Sequence, residues 1–231
     1  MLLPPLVEGR LVRRYKRFFA DVMLDGERLV TAHCPNPGAM LGLKDEGARA
    51  LLSTSASATR KLPLTLEILE ADGTLVGINT MRPNALAAEA ITGGVVAELA
   101  GYGMPRREVA YGKASRVDLV LEDGVRPPAY VEVKNVHLRR APGLAEFPDS
   151  VTTRGAKHLE ELAAMAQSGA RAVMLFVVQR ADVDRLDLAR DIDPAYGLAF
   201  DLARAAGVEM LAYACRVTPE EIVVERAIPV V

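Results

Sequence analysis

The chain has 231 residues, enough for one large domain or two small ones. Half are hydrophobic and a quarter charged, which excludes a disordered chain, and with no Trp and few aromatics any core is built from Val, Leu, Ile and Ala. The formal net charge of −2 excludes a uniformly basic nucleic-acid binder.

That average hides an asymmetry. Residues 1–61 carry 10 Lys and Arg against 6 Asp and Glu, whereas residues 161–231 carry 7 against 11. Most of the basic excess lies in GRLVRRYKRF, a stretch able to hold a phosphate backbone even in an acidic chain. The opening MLLPPLVEGR lacks the basic and apolar regions of a signal peptide. The longest apolar run, Ala172 to Val178, is too short to span a bilayer. Cys34 and Cys215 make no disulfide framework. The expectation is a soluble protein of the reducing cytoplasm, with no membrane partner.

In chain order, RRYKRFFADVMLDGERLVTAHC predicts two strands around Asp25-Gly26, and LPLTLEILEADGTLVGINT repeats the device around Asp72-Gly73. ARALLSTSAS predicts a strand between them. About five short strands in 80 residues predict a small barrel of the OB type, occupying residues 1–82. At Pro83-Asn84 the pattern changes. Asn84 is a candidate N-cap for a helix over ALAAEAI that ends at Gly93-Gly94. REVAYG, SRVDLVLE and AYVEVKNV predict three strands. A loop of some fifteen residues with Pro142, Gly143 and Pro148 follows. TTRGAKHLEELAAMAQSG has apolar residues at helical spacing, and RAVMLFVVQR predicts a buried central strand. A helix around YGLAFDLARAAG and a strand VEMLAYACRV close the chain. Residues 83–231 therefore predict an α/β domain with a mixed central sheet covered by helices.

Two of these strands carry the chemistry. Val117, Leu119 and Leu121 alternate with Arg116, Asp118 and Val120; Val131 and Val133 alternate with Glu132 and Lys134. A hairpin turning through DGVRPP and symmetric about Val125 sets Asp118 opposite Glu132, with Cβ atoms about 5 Å apart. Two facing carboxylates destabilise a sheet unless something offsets them. Lys134 screens one charge. A hard divalent cation satisfies both carboxylates, and Mg²⁺ is commonly held by one or two carboxylates plus water and substrate phosphate.

Asp118 followed by Glu132-Val133-Lys134, on the second and third strands after a helix, resembles the metal site of the PD-(D/E)xK nuclease superfamily. The literal Pro148-Asp149 lies in the wrong place for that motif. A wider resemblance runs through PPLVEGRLVRRYKRF, TAHCPNPGAMLG, YVEVKNVHLRR, FPDSVTTRGAKHLEEL, FVVQR and DIDPAYG, and is to the sugar fermentation stimulation protein A family. It implies an OB-like N-terminal domain, a nuclease-like C-terminal domain, an association with DNA and a part in regulating sugar (maltose) utilisation. Pro37 departs from the small polar residue expected in that loop.

Each candidate has a plainer reading beside the functional one. Asp118, Glu132 and Lys134 are metal ligands and catalytic groups, or a structural ion pair. Glu89 is a further metal ligand on the preceding helix, or a solvated charge. Arg154 and Lys157, with Glu161, share a helix face that contacts phosphate or simply meets solvent. Gln179 polarises a site water, or marks where a strand emerges. Arg13, Arg14, Tyr15, Lys16 and Arg17 form a nucleic-acid surface, with Tyr15 or Phe18 for base stacking, or a charged edge strand. His33 and Cys34, adjacent on a strand, point apart, so HCPNPGAM is read as a shaped loop and not a zinc site. Two functions follow: a DNA-binding protein, single strands included, with little sequence preference; and an Mg²⁺- or Mn²⁺-dependent nuclease working through Asp118, Glu132 and Lys134. A metal site that only stabilises the fold is the third. No organic cofactor is expected.

Overall fold

A computed structural model of the chain describes residues 1–57, 59–111 and 115–231, without the Ser115 side chain. Gly112, the end of the expected strand REVAYG, lies outside the described residues. The N-terminal strands are β1 (Leu6–Tyr15), β2 (Phe19–Leu24), β3 (Arg28–His33), β4 (Arg49–Thr54), β5 (Leu64–Ala71) and β6 (Thr74–Gly77). They run β3-β2-β1-β4-β5-β6, and a parallel contact of His33 with Thr65 joins β3 to β5. The first five strands thus close into the expected OB-like barrel. Its core is Leu11, Val22, Leu52, Leu66, Leu69 and their neighbours.

Asp72-Gly73 makes a two-residue hairpin with both φ values positive, the geometry that Gly tolerates and Asp accepts. The basic stretch is not one strand, as expected from its text. It breaks at Lys16–Phe18, where Lys16 and Arg17 both take positive φ, and Tyr15 pairs with Phe19. A register shift between Leu11 and Arg13 precedes the turn. That bulge and turn are why the alternation in RLVRRYKRF is poor.

The second sheet holds β7 (Arg106–Tyr111), β8 (Ser115–Leu121), β9 (Ala129–Val136), β12 (Arg171–Val178), β14 (Glu209–Val217) and β15 (Ile222–Ile228), with β10 (Leu138–Ala141), β11 (Gly143–Phe147) and β13 (Val183–Leu188) outside it. Its order is β15-β14-β12-β9-β8-β7; β9, β12 and β14 are parallel and the rest antiparallel, so it is mixed as expected. Helix α1 (Pro83–Thr92) covers one face; α2 (Thr153–Gln167) and α3 (Pro194–Ala205) cover the other. The apolar run 172–178 becomes the buried middle of β12, where each fully buried large side chain contributes roughly 1.5–3 kcal/mol.

Three expectations are corrected here. The loop after β9 contains β10 and β11, which join β13 in a small sheet; Pro142 sits between the strands and Pro148 beyond them, where a missing N–H does no harm. Neither β13 nor β15 is foreseen in the sequence; β15 forms the sheet edge beside β14. Asn84 is not the N-cap of α1: Arg82 is, Pro83 occupies the first turn, and the Asn84 amide is engaged elsewhere.

Candidate functional site

The site begins with the turn of the β8–β9 hairpin. Asp123 accepts the N–H groups of Val125 and Arg126 at 3.0 and 2.8 Å. These bonds, with the Arg126 guanidinium, hold its carboxyl down to about 2. The resulting register pairs Leu121 with Ala129, Val120 with Tyr130 and Leu119 with Val131, centred on Val125. The next positions outward are Asp118 and Glu132.

Asp118 Oδ2 accepts the Val133 N–H at 2.8 Å, and its Oδ1 accepts from Asn84 Nδ2 at 2.7 Å. Burial first, and the charge of Glu132 second, raise its carboxyl above the ordinary range. Glu132 is 2% exposed. Burial pushes its carboxyl up, but the bond from His158 and the charge of Lys134 outweigh that and hold it low. Lys134 Nζ donates to Glu132 Oε1 at 2.7 Å, and His158 Nδ1 touches the same oxygen. Arg154 Nε donates to His158 Nε2 at 3.2 Å. A guanidinium only donates, so the ring accepts at Nε2 and carries its proton on Nδ1, facing Glu132.

All of this loads one oxygen of Glu132. The other, Oε2, is buried and has no hydrogen-bond partner among the described residues. An unsatisfied buried carboxylate oxygen beside a second carboxylate is costly, and a hard cation relieves both costs. Among the described residues no three His, Cys, Asp or Glu side chains form a ready cage. The donor set therefore suits an ion that draws further ligands from water and phosphate, as Mg²⁺ or Mn²⁺ does, and not structural zinc.

The structure brings Asp118, Glu132, Lys134 and Arg154 together. It adds Asn84 and His158, which the sequence reading missed. His158 was traceable, since Gly155, His158, Leu159 and Leu162 form one buried helical stripe. Glu89 is not brought to the cluster. It lies five positions past Asn84, roughly 140° round the helix, and its carboxylate meets the Met1 ammonium at 2.8 Å. Lys157 leans on Glu161 at 3.7 Å and stays more than half exposed. Gln179 is not brought into hydrogen-bond contact with this cluster. It is fully buried at the domain seam, where its side-chain Nε2 donates to Asn135 at 2.6 Å and its backbone carbonyl accepts the Gly77 N–H.

The basic stretch is divided. Arg13 is bound to Asp21 at 2.8 Å and lies 4.9 Å over the Tyr15 ring; that ring also stacks on Phe19, and its hydroxyl meets Asp21. Tyr15 is thus occupied, while Phe18 is exposed on the turn. Arg14 turns the other way and donates to the carbonyls of Arg17, Asn36 and Gly38. Lys16 and Arg17 are exposed on the turn. His33 meets Arg60, whereas Cys34 lies in the barrel core, where burial raises its thiol. Asp149 accepts the Met40 N–H at 2.9 Å and approaches His137 at 3.2 Å. No helix among the described residues is long and apolar enough to cross a membrane.

The chain is similar to known proteins over nearly its whole length. The model of the SfsA N-terminal OB domain matches residues 12–78, and that of the sugar fermentation stimulation protein RE domain matches residues 81–221. The sugar fermentation stimulation protein homolog of Maricaulis maris (strain MCS10) is 57% identical over 221 residues, covering 96% of this chain and 94% of that protein. The homolog of Azorhizobium caulinodans is 58% identical over 229 residues, 97% of each. SfsA of Pyrococcus furiosus, solved in complex with Ca²⁺, superposes with a TM-score of 0.90 at 27% identity, covering 100% of this chain and 98% of that one. With both of its domains matched in order, the chain belongs to the sugar fermentation stimulation protein family.

Proposed function

We propose that this protein binds DNA with little sequence preference, takes part in regulating sugar utilisation in the cytoplasm, and holds a divalent cation at Asp118 and Glu132. The observation that carries the metal is the buried Glu132 Oε2, without a hydrogen-bond partner among the described residues, beside Asp118, whose carboxyl is pushed up by burial and by the Glu132 charge. The Pyrococcus furiosus relative, solved in complex with Ca²⁺, supports a hard cation in this protein. The barrel, residues 1–82, and the Arg154 side of the second domain, residues 83–231, offer positive charge to the phosphate backbone. The test is oligonucleotide binding across a salt series. Affinity falling steeply with salt is expected, and no binding of either single or double strands at low salt sinks the reading.

A second reading, an active nuclease, is favoured by Lys134. Its ammonium is fixed 2.7 Å from Glu132 and only 14% exposed. A bound Mg²⁺ or Mn²⁺ would neutralise charge on the phosphate and acidify a bound water. Lys134 orients the attacking water, Arg154 offsets phosphate charge, and His158 fixes the Glu132 carboxylate. DNA and RNA incubated with Mg²⁺ or Mn²⁺ decide it: cleavage by the native chain and none by Asp118→Ala is expected. Equal cleavage by both exposes a contaminant.

A further inference from the structure

Between the barrel and the second domain lies a cleft of about 670 Å³, well within the size of small-ligand sites. It opens beyond the carboxyl ends of the parallel strands β9 and β12, the usual ligand crevice of such sheets. Val151 and Thr152, on its wall, run into α2, which carries Arg154 and His158, so that wall leads to the carboxylate cluster. Neither the metal nor the OB surface accounts for it.

Its walls are built from the two motifs left without a role. One is the loop of HCPNPGAM. Asn36 locks it by donating to the Ile78 carbonyl at 3.0 Å and accepting the Gly38 N–H at 3.0 Å. The other is Phe147-Pro148-Asp149. A Cβ on Gly38 would stand 2.5 Å from Asp149 Oδ2, so glycine lets the two walls meet without displacing that carboxylate. Among the described residues the one carboxylate lining the cleft is Asp149, and it is already covered by the Met40 N–H and His137.

The cations are not so covered. Arg13, Arg49, Arg140, Arg171 and Arg190 each sit on a carboxylate, whereas Arg28 and Lys61, like the cations of the cleft, have no ion pair among the described residues. Arg14, Arg17 and Lys44 line the cleft, and none has an ion pair among the described residues. Arg14 is anchored to three carbonyls of the wall, which leaves its charge in place with no counter-ion. Between these cations run apolar surfaces of Pro37, Ala39 and Val151, with the half-buried Phe147, whose ring also packs on Phe176 and Tyr196. Uncompensated positive charge beside flat apolar surface fits a ligand with the reverse pattern, an anionic group joined to a planar ring.

We propose that this cleft is a nucleotide pocket, seating one unpaired nucleotide of a nucleic-acid strand with its phosphate on Arg17 and Lys44 and its base on Phe147 and Pro37. The inference rests on the nucleic-acid reading above and deepens it: the substrate class is a strand with a terminal or unpaired nucleotide next to the carboxylates.

The chain has no Trp, so Val151→Trp puts a single indole at the cleft on a position 73% exposed. That variant is titrated at low salt with deoxyadenosine monophosphate, inorganic phosphate and a labelled oligo(dA) of about ten nucleotides, with anisotropy read alongside. The expected result is saturable quenching by the mononucleotide and the oligonucleotide, competition by phosphate, and Kd values raised about 10-fold or more by Lys44→Glu. Lys44 is exposed, so the charge reversal leaves the fold intact, checked by an unchanged melting curve. Anisotropy that reports binding while the indole stays silent, or quenching indifferent to Lys44→Glu, overturns the pocket and leaves the DNA reading standing. Silence in both signals overturns both. A response to the mononucleotide with no oligonucleotide binding overturns the assignment to a strand. Blunt duplex DNA that quenches as well as the single strand overturns the unpaired nucleotide.

Discussion

Glu67 and Glu132 are each 2% exposed, yet they are different objects. Glu67 lies in the barrel, at the seam with α1. Its Oε1 accepts from Ser53 at 2.7 Å and Arg82 at 2.9 Å; its Oε2 accepts from Asn79 at 2.8 Å and Arg82 at 3.2 Å. Every lone-pair direction that matters is used, and a bidentate guanidinium balances the charge. Glu132 has Lys134 and His158 crowded on one oxygen, no partner on the other among the described residues, and Asp118 beside it. A saturated buried carboxylate holds a structure together. An unsaturated one carries a cost that the proposed cation would relieve.

The largest effect expected from breaking this contrast is on chemistry. Glu132→Gln should abolish metal-dependent cleavage, if the native chain cleaves, by at least about 100-fold, and should remove any rise in melting temperature on adding Mn²⁺. Scanning calorimetry with and without Mn²⁺ checks the second point, whether or not cleavage occurs. Glu67→Gln should leave the Mn²⁺ response intact.

Stability should show the reverse. Arg82→Met strands a buried carboxylate and should cost about 3–5 kcal/mol in urea unfolding. A loss under about 1 kcal/mol would mean that Glu67 takes up its proton or finds water, and would weaken the distinction drawn here.

His158→Ala tests the middle ground, since His158 touches Glu132 and would not touch the ion. Mn²⁺ affinity should fall about 10- to 100-fold, while folding persists. Unchanged affinity would mean that the ring only packs.

The smallest effect is in pH. Asp149 is buried, which pushes its carboxyl up, but the bonds from His137 and Met40 prevail and lower it. A depressed carboxyl contributes stability that is present above the unfolded value, about 3.9, and lost as the pH falls below it. Asp118 is raised, so its contribution has the opposite sign: ionising it costs stability as the pH rises through about 3.9 and above. Asp149→Asn should flatten the acid limb of the unfolding curve, and an unaltered limb would show that Asp149 is not clamped.

Much of the site was legible in the text of the chain. Alternation alone put Asp118, Glu132 and Lys134 on one side of their strands, and a turn centred on Val125 set the two acids opposite each other. Both are local facts, fixed by a period of two and a turn a few residues long. Glu89 failed because a helix rotates about 100° per residue, and Asn84, not Glu89, occupied the facing position. The strand through Lys16 failed because a bulge and a positive-φ turn leave only a blurred alternation. His158, Asp149 and Gln179 became important through contacts 26, 109 and 44 residues away along the chain.

By itself, then, the sequence determined the elements, the barrel-then-α/β order and the carboxylate hairpin, because these depend on neighbours within a few residues. Only the tertiary structure decided which oxygen of Glu132 is left over, which cations lack a counter-ion, and that two quiet motifs meet to wall a cleft. Those are outcomes of parallel pairing and domain docking, where residues far apart in the chain compete for the same few hydrogen bonds.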